Sequence, residues 1–258
     1  INESGRALGV SLGVLLATPI ANNIGWNTTL TFYSMIPAVA TILWIIGGRT
    51  SKTKVNETPF SIHENLPFIF NRNVLILAIG TIGPLTLFVG YSAWLPTYYN
   101  EVKEMTLGEA GSIVSVIPLV NAMFNPISGI ILSKFNSRRI LLIFSGLILP
   151  LFAFGSVFAM NEIILLTCVA GIGIFLSIFI VSIITIPMEL PNVTASKVGI
   201  VTAAILTTGN LASVISPIFI GTFTDYSGSY IPALSIIAIM PLTLVISGWF
   251  LQIPKSNN

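Results

Sequence analysis

Between Ala110 and Ser133 lie 24 residues without a charge, and between Ile140 and Asn161 lie 22 more. The stretch that joins them, Gly129-Ile-Ile-Leu-Ser-Lys-Phe-Asn-Ser-Arg-Arg139, carries Lys134, Arg138 and Arg139 within six residues and no acid. A helix needs roughly 20 apolar residues to cross a hydrocarbon layer about 30 Å thick. A tight basic turn between two runs of that length reads as the link between two spanning helices. By the tendency of cations to stay inside, that link faces the cytoplasm.

The same segregation holds along the whole chain. Only 8% of the 258 residues are charged and 54% are apolar, whereas soluble domains carry about 25% charged residues. An unpaired charge at the bilayer centre costs at least ~2.5–3.5 kcal/mol, so lipid forces charges into the gaps between spans. No soluble core needs that pattern. The chain therefore reads as an all-α polytopic membrane protein. The lone Cys168, inside an apolar run, excludes a disulfide scaffold. The net charge of +2 gives no sign of a nucleic-acid partner, and no metal-ligand spacing is present, so no cofactor is expected. Ile1 is followed by Glu3 and Arg6 and then at once by an apolar run, without a signal-peptide pattern. That start reads as lying part-way through a longer protein.

Eight spans follow from the charge gaps, at about 8–25, 28–47, 74–99, 110–133, 140–160, 163–187, 198–223 and 230–253. The first opens with Gly5-x-x-x-Gly9-x-x-x-Gly13, a small-residue stripe that lets a neighbouring backbone come close. Pro19, Asn22 and Asn23 interrupt its far end. The third has Gly80, Gly83-Pro84 and Gly90 as break points; the fifth is nearly featureless and is expected to face lipid. Between the second and third spans lies a polar linker holding His63, the only histidine. Its second half, Phe60 to Phe70, is expected to form a short helix on the membrane surface, shortened by Pro67. His63 is expected to be solvated.

With the opening loop in the cytoplasm, ten cations fall on that side: Arg6, Arg49, Lys52, Lys54, Arg72, Lys134, Arg138, Arg139, Lys197 and Lys255. Lys103 alone falls on the other. The asymmetry supports eight spans in the cytoplasmic membrane with both termini of the chain inside.

In this order the features resemble the major facilitator superfamily without its first four helices. Those transporters have twelve spans in two six-helix halves with a long cytoplasmic linker between them. The eight spans here are similar to the fifth to twelfth. The resemblance implies the last two helices of the N-terminal bundle at residues 1–48, a linker at 49–72 and the C-terminal six-helix bundle at 73–258. Its loop motif, Gly-x-Leu-x-Asp-Arg-x-Gly-Arg-Arg, recurs in weaker form between the eighth and ninth helices, and Gly129, Lys134, Phe135, Arg138 and Arg139 fit that copy. Ser133 stands where Asp is usual and Asn136 where Gly is usual; Asn tolerates a left-handed backbone, so the turn survives. The loop is read as a cytoplasmic gating loop formed by Gly129, Lys134, Arg138 and Arg139. Tyr91-x-x-Trp94-Leu95-Pro96 followed by Ala110-Gly111 resembles the end of the seventh helix and the start of the eighth. Pro217-x-x-x-Gly221-x-x-x-Asp225-x-x-Gly228 resembles the end of the eleventh. A faint repeat pairs Asn2–Gly9 with Asn192–Gly199, each with a basic residue inside, as parallel repeats of such a fold would. The exchangers' Gly-Pro-x-x-Gly-Gly is replaced by Thr18-Pro19-Ile-Ala-Asn22-Asn23, which tilts toward symport or uniport.

The resemblance implies a small-molecule substrate bound between the halves near the midplane, by polar side chains in mid-span. Asn121 and Asn125, four apart, share one helix face and suit a small polar or anionic solute; the alternative is helix–helix hydrogen bonding. Tyr91 and Trp94 either wall the outer mouth or join Tyr98 and Tyr99 in an interfacial belt. Thr207 and Asn210, one turn apart, are a third candidate. No span holds an ionisable acid or base. A co-transported proton or sodium ion would therefore need residues in the missing N-terminal helices of the same chain, or Glu189 or Asp225 on the rims. The expectation is a secondary transporter and not an enzyme, since paired carboxylates and His clusters are lacking. A non-transporting sensor or inactive truncated transporter is the competing class.

Overall fold

The computed structural model describes residues 2–48, 62–135, 137–191 and 193–252. Arg49, Lys52, Lys54, Phe60, Asn136, Asn192 and Lys255 thus lie outside the described residues, as does most of the linker. So do the left-handed turn expected at Asn136 and the first residue, Asn192, of one arm of the faint repeat.

Each expected span is helical over most of its described length. The elements are α1 (Asn2–Ile24), α2 (Trp26–Gly47), a short α3 (Ile62–Ile69), α4 (Arg72–Val102), α5 (Leu107–Lys134), α6 (Arg138–Phe158) and α7 (Glu162–Glu189). They continue as α8 (Ala195–Ser213), α9 (Ile215–Ser227), α10 (Tyr230–Ile239), a 3-10 turn (Met240–Leu242) and α11 (Thr243–Phe250). Eight stretches among the described residues are long and apolar enough to cross a membrane, with α8–α9 forming the seventh and α10–α11 the eighth. At 1.5 Å per residue, the 31 residues of α4 reach about 46 Å, more than a hydrocarbon layer. This is a multi-pass membrane protein.

Helix starts follow ordinary capping chemistry. Thr106 and Glu109 form a reciprocal capping box at the head of α5, and the Asn71 and Asn161 side chains accept from the first amides of α4 and α7. Gly25 turns the chain from α1 into α2 with φ 81°, a backbone that a side chain would strain.

The core lies within α4–α11, where α4, α5, α6 and α7 supply most of the buried apolar side chains. Helices approach closely where side chains are small. A Cβ on Gly173 of α7 would sit 2.6 Å from the Ile117 carbonyl of α5, and the buried Ser128 and Ser177 hydroxyls pair at 2.7 Å across the same two helices. α1 packs on α5 through Ser11, whose hydroxyl donates to the Ser115 carbonyl at 3.1 Å, while most of α2 stays exposed.

Several expectations are corrected. α4 runs unbroken through Gly80, Gly83-Pro84 and Gly90, because Thr243 of α11 repairs the break. Pro84 has no N–H for the Gly80 carbonyl; the Thr243 hydroxyl donates to that carbonyl at 3.0 Å and accepts from the Gly83 amide at 3.2 Å. α1 likewise continues to Ile24, with the Asn23 side chain donating to the Pro19 carbonyl at 2.8 Å. α6 is not wholly lipid-facing: Leu142, Ser145, Leu149, Ala153 and Ser156 are buried, while Ile140, Phe144, Leu147 and Leu151 point outward. The glycine stripe of α1 has no neighbour within 4 Å of any of its three Cβ positions among the described residues. Finally, α3 packs against α8, with Lys197 donating to Asn65 at 2.6 Å and its ammonium lying 5.6 Å from the Phe68 ring centre.

Candidate functional site

The sequence-derived candidates fall into four places. Asn121 and Asn125 stand on one stripe of α5, with Ser128 one turn further on and in contact with α7. Both are buried, at 7% and 6% exposure. Neither polar atom of the Asn125 amide has a hydrogen-bond partner among the described residues. A buried amide left unpaired costs about 1–3 kcal/mol, and here it lies on the helix that also carries the packing of α1. The pair offers amide donors and carbonyl acceptors on a buried face of α5.

Thr207 and Asn210 are exposed on α8. They flank Gly209, whose missing side chain lets α8 rest on Thr81 of α4; the Thr81 hydroxyl approaches the Ile205 carbonyl at 3.2 Å. Nothing in the described contacts brings them to Asn121.

Tyr91 lies inside the bundle. It is fully buried, and its hydroxyl approaches the carbonyls of Ala153 in α6 and Leu234 in α10, each at 3.3 Å. That places it between three helices and away from any open face. Trp94 is half-buried; its indole N–H donates to the Pro217 carbonyl at 2.9 Å and its ring packs on Tyr230. Tyr98 and Tyr99 are buried as well and do not form a lipid-facing belt. Their hydroxyls donate to the Val157 and Ser156 carbonyls at 3.0 Å, and the Lys103 ammonium donates to the Ala159 carbonyl at 2.6 Å. The last turn of a helix leaves carbonyls without intrahelical partners and favours a cation. The end of α4 therefore caps the end of α6. Partial burial pulls the Lys103 ammonium below the usual lysine range.

The basic loop is the fourth place. Among the described residues nothing lies within 4 Å of the Cβ position of Gly129, and Lys134 is exposed, whereas Arg138 is anchored. Its guanidinium meets the Glu189 carboxylate at the end of α7 at 2.8 Å and donates to the Phe135 and Leu132 carbonyls. Arg139 donates to the Gly248 and Trp249 carbonyls of α11 at 2.9 and 2.8 Å. Sequence reasoning missed these partners, because no local signal pairs a loop arginine with an acid two helix ends away.

A family model, Major Facilitator Superfamily, matches residues 1–217. The chain belongs to the Major Facilitator Superfamily. Similar proteins include a "Nitrite extrusion protein" of Bacillus subtilis, 23% identical over 93% of this chain and 60% of the relative. A "Probable nitrate transporter NarT" of Staphylococcus haemolyticus is 26% identical over 90% of this chain and 59% of its own length. A Campylobacter jejuni protein described as uncharacterized is 27% identical over 68% of this chain and 56% of its own. The chain thus spans somewhat under two thirds of each of these superfamily relatives. The names of the first two, an extrusion protein and a probable transporter, agree with the eight spans described above.

Proposed function

We propose that this superfamily member is part of a secondary transporter that moves a small anion across the cytoplasmic membrane by alternating access. In this reading residues 1–48 close an N-terminal bundle, 49–72 link the halves and 73–258 form the C-terminal bundle, with both ends of the chain in the cytoplasm. The observation that carries the site is Asn125: a buried amide without a partner among the described residues, one turn from Asn121, on the helix of the C-terminal bundle that α1 packs against. Two amides can donate to a planar or tetrahedral oxyanion without the desolvation cost of a fixed charge. The relatives named for nitrate and nitrite support an inorganic oxyanion as the substrate class. Trp94, Thr207 and Asn210 are secondary contacts in this reading, and Tyr91 orders the helices behind them. Glu189 and Asp225 remain the candidate rim acids for a co-transported proton, with sodium as the other candidate ion; no catalytic role is proposed for any residue.

The test is nitrate and nitrite flux in proteoliposomes holding the protein as its gene encodes it. Asn125→Leu and Asn121→Leu should each lower flux at least tenfold with unchanged protein insertion. Unaltered flux in both variants would sink the assignment of the site.

A further inference from the structure

A groove of about 460 Å³ opens between the start of α4 and the end of α11, and it contains none of the substrate-site residues named above. Its walls are Leu75, Ile76 and Ile79 of α4 with Ile246 and Phe250 of α11, and Arg72 stands at its mouth. Arg72, Leu75, Ile76 and Ile79 recur at steps of three and four and so form one helix stripe. From Arg72 to Ile79 that stripe descends about 10 Å, from headgroup level well into one leaflet of the hydrocarbon layer.

Among the described residues, Arg72 is the one charged side chain that lines the groove. Arg72 is exposed and forms no ion pair among the described residues. The amide end of α4, with its partial positive charge, lies at the same level. The opposing partial negative end of α11 is already occupied: Arg139 takes the Gly248 and Trp249 carbonyls, and Asn73 takes the Gln252 carbonyl at 2.9 Å. No acid among the described residues lines the groove.

We propose that this groove binds one anionic phospholipid of the leaflet next to the basic loops. One acyl chain lies along the aliphatic walls and the phosphate rests on the Arg72 guanidinium. A zwitterionic lipid would bring an ammonium to the same positive mouth and is disfavoured. The inference rests on the membrane assignment alone and stands or falls separately from the substrate site.

Native mass spectrometry of the detergent-purified protein, exchanged against phosphatidylglycerol or phosphatidylcholine, reads this directly. The wild type should retain one phosphatidylglycerol under conditions that strip phosphatidylcholine. Arg72→Gln should weaken that retention about tenfold. Ile79→Trp, at a position already 52% exposed, should fill the groove and lower retention of phosphatidylglycerol. Arg6→Gln, which removes a cation from α1, should change neither. Equal retention of the two lipids by the wild type overturns the proposal. So does an Arg6→Gln loss as large as that of Arg72→Gln, or displacement of the lipid by glycerol phosphate lacking acyl chains.

Discussion

The Arg138 guanidinium and the Glu189 carboxylate meet at 2.8 Å across 51 residues of sequence, and they tie the basic loop before α6 to the end of α7. Arg138 is the more deeply set partner, with its side chain 16% exposed against 34% for Glu189. It also reaches two loop carbonyls, so the two residues are not equivalent. Arg138→Ala should destabilise by about 2–3 kcal/mol, because the carbonyls and the carboxylate lose a charged donor together. Glu189→Gln should cost only about 1 kcal/mol, as expected of a partly solvated pair. Thermal unfolding in detergent measures both; equal losses would mean that the carbonyl contacts contribute nothing.

Thr243 holds α4 together at the proline break. Thr243→Val keeps the shape and removes the hydroxyl that serves Gly80 and Gly83, so about 1–2 kcal/mol should be lost. Thr243→Ser retains the hydroxyl and should recover most of it. A serine variant as unstable as the valine variant would point to lost methyl packing instead.

Close helix approach should be selective among the glycines. Gly173→Ala pushes a methyl against the Ile117 carbonyl and should cost about 1–3 kcal/mol by overpacking. Gly9→Ala meets nothing within 4 Å and should be neutral or slightly stabilising, since alanine is the better helix former. The two melting temperatures, compared side by side, decide it.

At the other end of the bundle, Tyr99→Phe strips the donor from the Ser156 carbonyl. The last turn of α6 should fray, and its amides should exchange hydrogen faster while those of α5 stay protected. Adding Tyr98→Phe should extend the effect to the turn around Val157. Unchanged exchange at 156–159 would show that the tyrosines pack without capping.

Asn125 separates function from stability. Both its polar atoms lack a partner among the described residues, so Asn125→Leu should leave the melting temperature unchanged or raise it. Should the variant instead unfold by several degrees earlier, the amide serves helix–helix bonding and the site assignment is falsified.

Much of the fold was legible in the chain itself. Keeping charge out of lipid is a requirement on each 20-residue window, so the spans could be counted from the gaps between Arg6, Arg72, Lys103, Lys134 and Lys197. The loop at Lys134–Arg139 and the polar stripe of Asn121 and Asn125 could be found the same way, by local spacing. What lay beyond reach was partnership. Tyr98 and Tyr99 carry the pattern of an interfacial belt, yet they turn inward because the end of α6 presents carbonyls that nothing else satisfies. Tyr91 shares their stripe and is enclosed between α4, α6 and α10, where its hydroxyl meets mid-helix carbonyls. The break points of α4 looked open because proline's missing amide is visible in sequence and Thr243, 160 residues away, is not recognisable as its remedy. Sequence alone determined what must sit in lipid, since transfer free energy is a property of each segment. Which buried polar groups are paired, and that the Asn125 amide has no partner among the described residues, only the tertiary structure decided, because a hydrogen bond depends on the distance between atoms and not on their spacing along the chain.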